Sequence, residues 1–366
     1  MAQRWLWWQR SGNVFVSRLQ LVNFRNYQNQ LVSFSPGKVL IYGANGQGKT
    51  NLLEAIYYLV IGKSFRGKDS SLIRFGAESF FLGAKITKDG QKITLGIEYS
   101  GKGKIFTKNG QKQKGFSYLL GSLKGVLFTP DEPVNFFGSP TNRRKSLDLF
   151  LAQTSKTYLL NLIYYNKVLA NKNALLKQPG TTENIIDAWD YKLAEYGAEI
   201  IKEREKSLRV LNELLTELND ELKFLLGKIT IDYKPQGTLE KESFYRFLKQ
   251  RQGEERIKKF ALFGPHRDDF RFYLNDKDLK VFGSQGQKKG VLLLFKLAQA
   301  VYMTKILGEK PVLLLDDLYS EFDSEKRRAL EGFFLNFSEQ VLITATDPGD
   351  LKNYDQAVLI NDGLVL

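Results

Sequence analysis

The chain has 366 residues, 43% of them hydrophobic and 26% charged, which gives enough apolar surface for a sizeable core and excludes general disorder. It contains no cysteine, so a disulfide framework, a thiolate zinc site and a cysteine nucleophile are excluded as well. With 54 Lys plus Arg against 40 Asp plus Glu, the net charge of +14 points to polyanionic partners, nucleic acid first among them.

In chain order, the opening MAQRWLWWQRSGNVF is broken by Gln, Arg and Ser before an apolar signal region can form. No run approaches the roughly 18 apolar residues of a membrane span, so a cytoplasmic protein without a membrane partner is expected. No fixed-period repeat is found, which argues against solenoids and propellers. From Val16, VSRLQLVNF alternates like a strand, and LVSFSPGKVLIYG reads as two more. Next comes the glycine-rich stretch from Gly43 to Thr50, and then NLLEAIYYLVIG with apolar residues at helical spacing.

Between Phe80 and Lys124, turn signals separate short β-rich runs and predict an antiparallel meander, with Asn109-Gly110 as the strongest hairpin signal. From Lys85 to Lys124 nine Lys stand against Asp89 and Glu98, which suits either a solvated sheet face or a surface for DNA backbone through Lys102, Lys104 and Lys108. From Asn142 to about Gly227 the pattern is helical, broken only around Gln178 to Thr182, and implies two long helices. In the second, Trp189, Leu193, Tyr196, Ile200, Leu208, Leu211, Leu215, Leu218, Leu222 and Leu225 form a packing stripe interrupted near Arg204. Over 187–226 it would reach about 60 Å, the size of a short antiparallel hairpin. Farther on, PVLLLDD and QVLITAT are continuous apolar runs typical of buried parallel strands, so an α/β sheet is expected to draw on both ends of the chain.

Three stretches carry chemistry. Gly43, Ala44, Asn45, Gly46, Gln47, Gly48, Lys49 and Thr50 fit the phosphate-loop pattern GxxxxGK[ST] between a strand and a helix. Backbone N–H groups and the helix N-terminus would cradle phosphate oxygens, Lys49 would supply charge at the β/γ-phosphates and Thr50 a hydroxyl for Mg²⁺. Asp316 and Asp317 end an apolar strand whose carboxyl end would face those phosphates. Asp316 would hold Mg²⁺ and Asp317 would polarise the attacking water. Ser284-Gln285-Gly286-Gln287 opens a good helix and suits either an anion site or a plain N-cap with flexible glycines. His266 is the only histidine, which favours a structural role.

The order of these motifs resembles the ABC-type, SMC-like ATPase heads, and among them the RecF family of bacterial DNA replication and repair proteins. LQLVNFRNY (19–27), GANGQGKTNLLEAIYYL, KSFRG, LIRFG, LFTPDEP, GPHRDDF, SQGQ and LLLDDLYSEFD carry the resemblance, which covers nearly all of the chain after Val16. It implies an α/β ABC-type head: a lobe over 16–125 and 307–366 with a mixed sheet and an antiparallel meander, and a mainly helical lobe over 126–306 with a short helical hairpin. Residues 1–15 would be an extension.

The resemblance further implies that ATP, with Mg²⁺, glues two chains together. Gly43 to Asn51 of one chain would hold the nucleotide, and Ser284 to Gln287 of the other would meet its γ-phosphate. Ser320, Glu321 and Asp323 match the loop that links the two sites. Asn45 matches a polar side chain near the attacked phosphate. Arg66 resembles an arginine linking DNA to nucleotide, and an ordinary surface arginine fits that position equally. His266 and Arg267 would serve the dimer or DNA, with Asp268 and Asp269 tying Arg267 in place.

The chain departs from the family's pattern in Lys288 and Lys289 after SQGQ, where an arginine is usual. It departs from most ABC ATPases in Asp317 in place of Glu, and in Thr346 where transporters carry a switch histidine. The implied function is a slow, DNA-stimulated ATPase. As an ATP-bound homodimer it would bind single-strand/double-strand junctions at gaps, act with RecR and RecO in loading RecA, and leave on hydrolysis. The alternatives are a transporter ATPase, another SMC-like head, and a DNA binder with a silent nucleotide site.

Overall fold

The computed structural model describes residues 14–366 apart from 223, 225, 338, 351 and 352, so most of the expected extension and Leu225 of the packing stripe lie outside the described residues. Strands β1 (Val14–Phe24), β2 (Tyr27–Ser33) and β3 (Gly37–Tyr42) precede helix α1 (Lys49–Ile61). Strands β4 (Ser79–Lys88), β5 (Gln91–Ser100), β6 (Gly103–Lys108), β7 (Gln111–Gln113) and β8 (Gly125–Phe128) follow. Helices α2 (Glu132–Gly138), α3 (Pro140–Thr154), α4 (Lys156–Leu175) and α5 (Glu183–Glu221) lead to β9 (Ile229–Lys234), α6 (Lys241–Lys258), β10 (Asp269–Leu274), β11 (Lys277–Asp278) and α7 (Leu279–Phe282). Then come α8 (Gln285–Leu307), β12 (Val312–Leu315), α9 (Ser324–Phe337), β13 (Gln340–Ala345), β14 (Gln356–Asn361) and β15 (Leu364–Val365).

The described residues within Met1–Glu132, Glu217–Leu225 and Lys289–Leu366 form one compact unit, and those within Pro133–Thr216 and Leu226–Lys288 form another. The first unit holds two six-stranded sheets. One runs β15-β14-β3-β13-β12-β8, and β3 is flanked on both sides by parallel neighbours from late in the chain. Val39, Leu40 and Ile41 are fully buried, which is why the centre of β3 is apolar without alternation. The other sheet, β2-β1-β4-β5-β6-β7, is the expected meander. Asn109 and Gly110 (φ 50° and 79°) join Lys108 to Gln111 in a two-residue turn that needs positive φ at both positions.

Gln340 ties β13 to β1. Its amide accepts from the Val16 N–H at 2.9 Å and donates to the carbonyls of Val16 and Ser35 at 3.0 Å each. α8 is long and apolar enough to cross a membrane, but 83% of its most apolar window is buried, as in the core helix of a folded domain.

The second unit corrects the expectation of two long helices, since three occupy that stretch. Ser155 leaves the helical conformation, ends α3 and caps α4 by accepting from the Tyr158 N–H at 3.1 Å. A serine inside an otherwise helical pattern carries no strong break signal of its own. α4 and α5 form an antiparallel hairpin, with Tyr158 against Arg204, Tyr164 stacked on Tyr196, and Lys172 paired with Asp190. The interrupted stripe on α5 has a physical cause. Arg204 is 2% exposed and binds Asp148 at 2.8 Å, Asp268 at 2.9 Å and the Pro265 carbonyl at 2.7 Å. Deleting one partner of such a pair strands a buried charge, at a cost of about 3–5 kcal/mol.

The same network corrects the pairing expected within GPHRDDF. Asp268 serves Arg204 and the Tyr233 hydroxyl, and Asp269 grips Arg143 through two bonds of 2.8 and 2.9 Å. Arg267 is exposed, lies over the Phe260 ring and donates to the Ala261 carbonyl.

Candidate nucleotide site

The phosphate loop sits between β3 and α1, as its motif requires, and is braced from two other turns. Asn26 donates to the Gln47 carbonyl at 2.8 Å and Tyr27 to the Gly48 carbonyl at 2.9 Å. From the turn between β14 and β15, the Gly363 N–H donates to the Gln47 carbonyl at 3.1 Å, and the Asp362 N–H reaches its side-chain oxygen. Gly48 has φ 119°, and a Cβ there would meet the Asn26 side chain at 2.7 Å, so only glycine lets the loop lie this close to its brace. Ala44, Asn45 and Gly46 form the exposed crest.

Lys49 lies at the floor of the loop, its ammonium donating to the carbonyls of Gly43 and Ala44 at 2.7 and 2.9 Å. Burial pushes its pKa down, while the charges of Asp317 and Asp316 act in the opposite sense. The Thr50 hydroxyl stands 3.0 Å from both oxygens of Asp316. Thr344 on β13 donates to Asp316 at 2.7 Å and accepts from the Asp317 N–H at 2.8 Å. Burial holds the Asp316 carboxyl above its usual range, against the hydrogen bonds from Thr344 and Thr50 and the nearby charge of Arg66.

A hydroxyl and one carboxylate, both hard oxygen donors, fit Mg²⁺, which takes few protein ligands and fills its remaining positions with water and phosphate. Among the described residues, no group of three or more His, Cys, Asp or Glu offers an all-protein metal cage. Thr344 was missed in the sequence, where Thr346 drew attention instead. Thr346 is exposed past the end of β13, whereas Thr344 is buried on the strand.

A second cluster adjoins the start of α1. Glu54 is fully buried and receives Arg25 through bonds of 2.9 and 3.1 Å, Arg66 at 2.5 Å and Ser64 at 2.6 Å. Burial pushes its carboxyl up, but these donors outweigh burial and hold it below the usual range. Arg66 also reaches the Asn51 side chain, which donates to Asn26 at 2.8 Å. One chain of contacts therefore runs from Arg66 through Asn51 and Asn26 to the phosphate loop. Sequence alone placed Arg66 and Asn51 in the site but gave no role to Arg25, Asn26, Tyr27 or Glu54.

In the second unit, Ser284 and Gln287 form a reciprocal cap. The Gln287 N–H donates to the Ser284 hydroxyl at 3.2 Å, and the Ser284 N–H donates to the Gln287 side chain at 2.8 Å. Ser284, Gln285 and Gly286 are exposed, and a Cβ on Gly286 would meet nothing within 4 Å, so the chain's own packing does not require glycine there. Within the first unit, Lys289 pairs with Glu321, and Ser320 donates to the Asp317 carbonyl at 2.8 Å. Asp323 caps α9 through Lys326, whose bonds lower its carboxyl to about 2.

Of the other named residues, Lys104 pairs with Asp69 at 2.7 Å and Lys108 donates to Ser122 at 2.9 Å, whereas Lys102 is exposed. His266 accepts or donates at 2.6 Å with the buried Tyr165 hydroxyl and lies 3.2 Å from the Ala261 carbonyl.

The model of the RecF/RecN/SMC N terminal domain family matches residues 15–362. The chain is 73% identical over 352 residues to the DNA replication and repair protein RecF of Carboxydothermus hydrogenoformans, covering 96% of this chain and 100% of that one. It is 37% identical to the RecF of Clostridium perfringens, with 93% and 95% covered. Among solved structures, the recombination mediator protein RecF with ATP superposes with a TM-score of 0.90 at 34% identity, with 96% and 97% covered. The Smc head domain of Pyrococcus furiosus shares the fold, at a TM-score of 0.56 and 16% identity, with 96% and 95% covered.

Proposed function

The chain belongs to the RecF family of DNA replication and repair proteins, and from that premise we propose that it is a slow, DNA-stimulated ATPase that recognises gapped DNA as an ATP-bound homodimer. The observation that carries its ATPase part is the Thr50–Asp316–Thr344 arrangement beside Lys49, in which the phosphate cradle after β3, Asp316 and Asp317 after β12, and Thr344 on β13 converge.

The loop amides and the N-terminus of α1 bind the β- and γ-phosphates, and Lys49 gives up its loop carbonyls to neutralise them. Thr50 and Asp316 would hold Mg²⁺, which screens the charge of the transferring phosphoryl group when bound. Thr344 fixes the Asp316 carboxylate and, through the Asp317 N–H, the backbone of the next residue. Asp317 has φ 44°, an uncommon conformation for a residue with a side chain, and we assign it the orientation of the attacking water and the uptake of its proton.

The exposed cap at Ser284 and the open space at Gly286 support a role in trans, where the γ-phosphate held by a second chain approaches the start of α8. Hydrolysis would remove that contact and release the dimer. Arg66 and Lys102 would meet DNA, and Lys104 and Lys108 would do so only by leaving Asp69 and Ser122. In the cell the protein would act in the cytoplasm with RecR and RecO to load RecA at gaps.

The test is equilibrium binding to gapped and blunt duplexes of equal length, with and without ATP and Mg²⁺, at one fixed salt concentration. ATP is expected to raise affinity for the gapped duplex above that for the blunt one. Binding indifferent to both ATP and DNA structure would overturn the reading.

A further inference from the structure

The turn before β4 presents an aromatic side chain that the fold does not use. Phe75 is 99% exposed, yet the backbone beneath it is pinned on both sides. Ile73 bridges to Phe24, the Arg74 N–H donates to the Asn23 carbonyl at 2.8 Å, and the Ala77 N–H closes the turn on the Arg74 carbonyl at 3.0 Å. Gly76 supplies the positive φ of 83° that leaves Phe75 at the corner. An exposed phenylalanine by itself is ordinary on a protein surface. Here three further observations single it out.

First, the surroundings are cationic. The stretch 63–78 contains Lys63, Arg66, Lys68 and Arg74 against Asp69 and Glu78, and with Arg66 committed to Glu54 and Asp69 to Lys104, Lys63, Lys68 and Arg74 stand against Glu78. Second, the turn is held in place rather than loosely tethered, so the ring is presented at little ordering cost. Third, it is wired to the nucleotide site. The Arg25 N–H donates to the Leu72 carbonyl at 2.7 Å and its guanidinium to the Ser71 carbonyl at 3.1 Å, while the same guanidinium grips Glu54, which shares Arg66 with Asn51.

We propose that Phe75 is a stacking platform for an unpaired base of DNA, with Lys68 and Arg74 drawing in the flanking phosphates. The inference rests on the DNA-binding function proposed above and adds a discriminating residue to it. An exposed aromatic ring on a fixed turn, in a stretch rich in Lys and Arg, suits single-stranded DNA because every base offers a π-face, whatever the sequence. A base within a duplex is stacked on both faces and presents none, so Phe75 would favour a gap over continuous duplex.

The experiment compares the wild-type chain with Phe75→Ala and Phe75→Trp, using ATP, Mg²⁺, and the same gapped and blunt duplexes. Phe75→Ala is expected to weaken gapped-DNA binding about fivefold or more, to change blunt-duplex binding by less than about twofold, and to leave ATP affinity and the thermal midpoint as they are. Phe75→Trp is expected to keep the preference. If the wild type prefers gapped DNA with ATP and Phe75→Ala prefers it equally, this inference is overturned while the proposed function stands. If the wild type shows no such preference, both fall together.

Discussion

The phosphate loop and the start of α8 are both exposed approaches to helix N-termini, and they differ in how far their own chain fixes them. Around Gly43 to Asn51, brackets arrive from Asn26, Tyr27, Asp362, Gly363, Asp316 and Thr344, residues scattered over the whole sequence. At Ser284 to Gln287 the side-chain bracing seen among the described residues is a local cap between residues three apart, and Gly286 faces open space. The first arrangement is preorganised for a ligand held by the same chain. The second is left open by its own chain, as the proposed role in trans requires.

The sharpest way to break that contrast is a pair of substitutions. Lys49→Met removes a charged donor from the braced site and is expected to weaken ATP binding about tenfold to a hundredfold. Ser284→Arg is expected to leave ATP binding by the monomer untouched while abolishing ATP-driven dimers. Calorimetry and sedimentation velocity on the same preparations measure both, and equal loss of nucleotide binding in the two variants would erase the distinction.

A smaller effect tests the bracing itself. Asn26→Ala removes the bonds to the Gln47 carbonyl and to Asn51, so ATP affinity should fall about tenfold and the thermal midpoint should drop with it. An unchanged ATP dissociation constant would mean that the loop keeps its shape without this bracket.

An effect of another kind lies in the second unit and depends on pH. Burial, against the pull of the Ala261 carbonyl and helped by the charges of Arg267, Lys172 and Arg144, lowers the His266 pKa from 6.5 to about 4. The neutral ring is therefore favoured in the folded state. Stability should be intact above about pH 6.5 and should decline as pH falls from there toward 4, where the unfolded chain takes up the proton first. Urea midpoints measured across that range should slope for the wild type and flatten for His266→Gln.

What the sequence disclosed followed from local patterns. The strand–loop–helix around Gly43, the apolar runs of β12 and β13 and the Asn109-Gly110 hairpin all declare themselves within a dozen residues, because periodicity and turn chemistry are local properties. What stayed hidden was carried by distant partners. Nothing near Glu54 announces that Arg25 and Arg66 converge on it, and nothing in GPHRDDF says that its carboxylates belong to Arg204 and Arg143 rather than to Arg267. Ser155 failed as a signal for the opposite reason: its break is local but chemically weak, and the packing of α3 against α4 decides it. Thr344 was legible only in principle, since its inward direction at the end of β13 depends on the strand's register beside β12.

The position of β3 bears on how the protein is made. This strand leads directly into the phosphate loop, yet both of its neighbours, β13 and β14, are translated roughly 300 residues later. At about 5–20 residues per second, the ribosome needs some 15–60 s between releasing β3 and supplying either partner. For that interval a strand with an apolar centre, Val39 to Ile41, has two open edges, and the loop beside it lacks the Asp362 and Gly363 bracket. Nucleotide binding is thus among the last competences a nascent chain acquires, and occupancy of the site reports that the central sheet has closed.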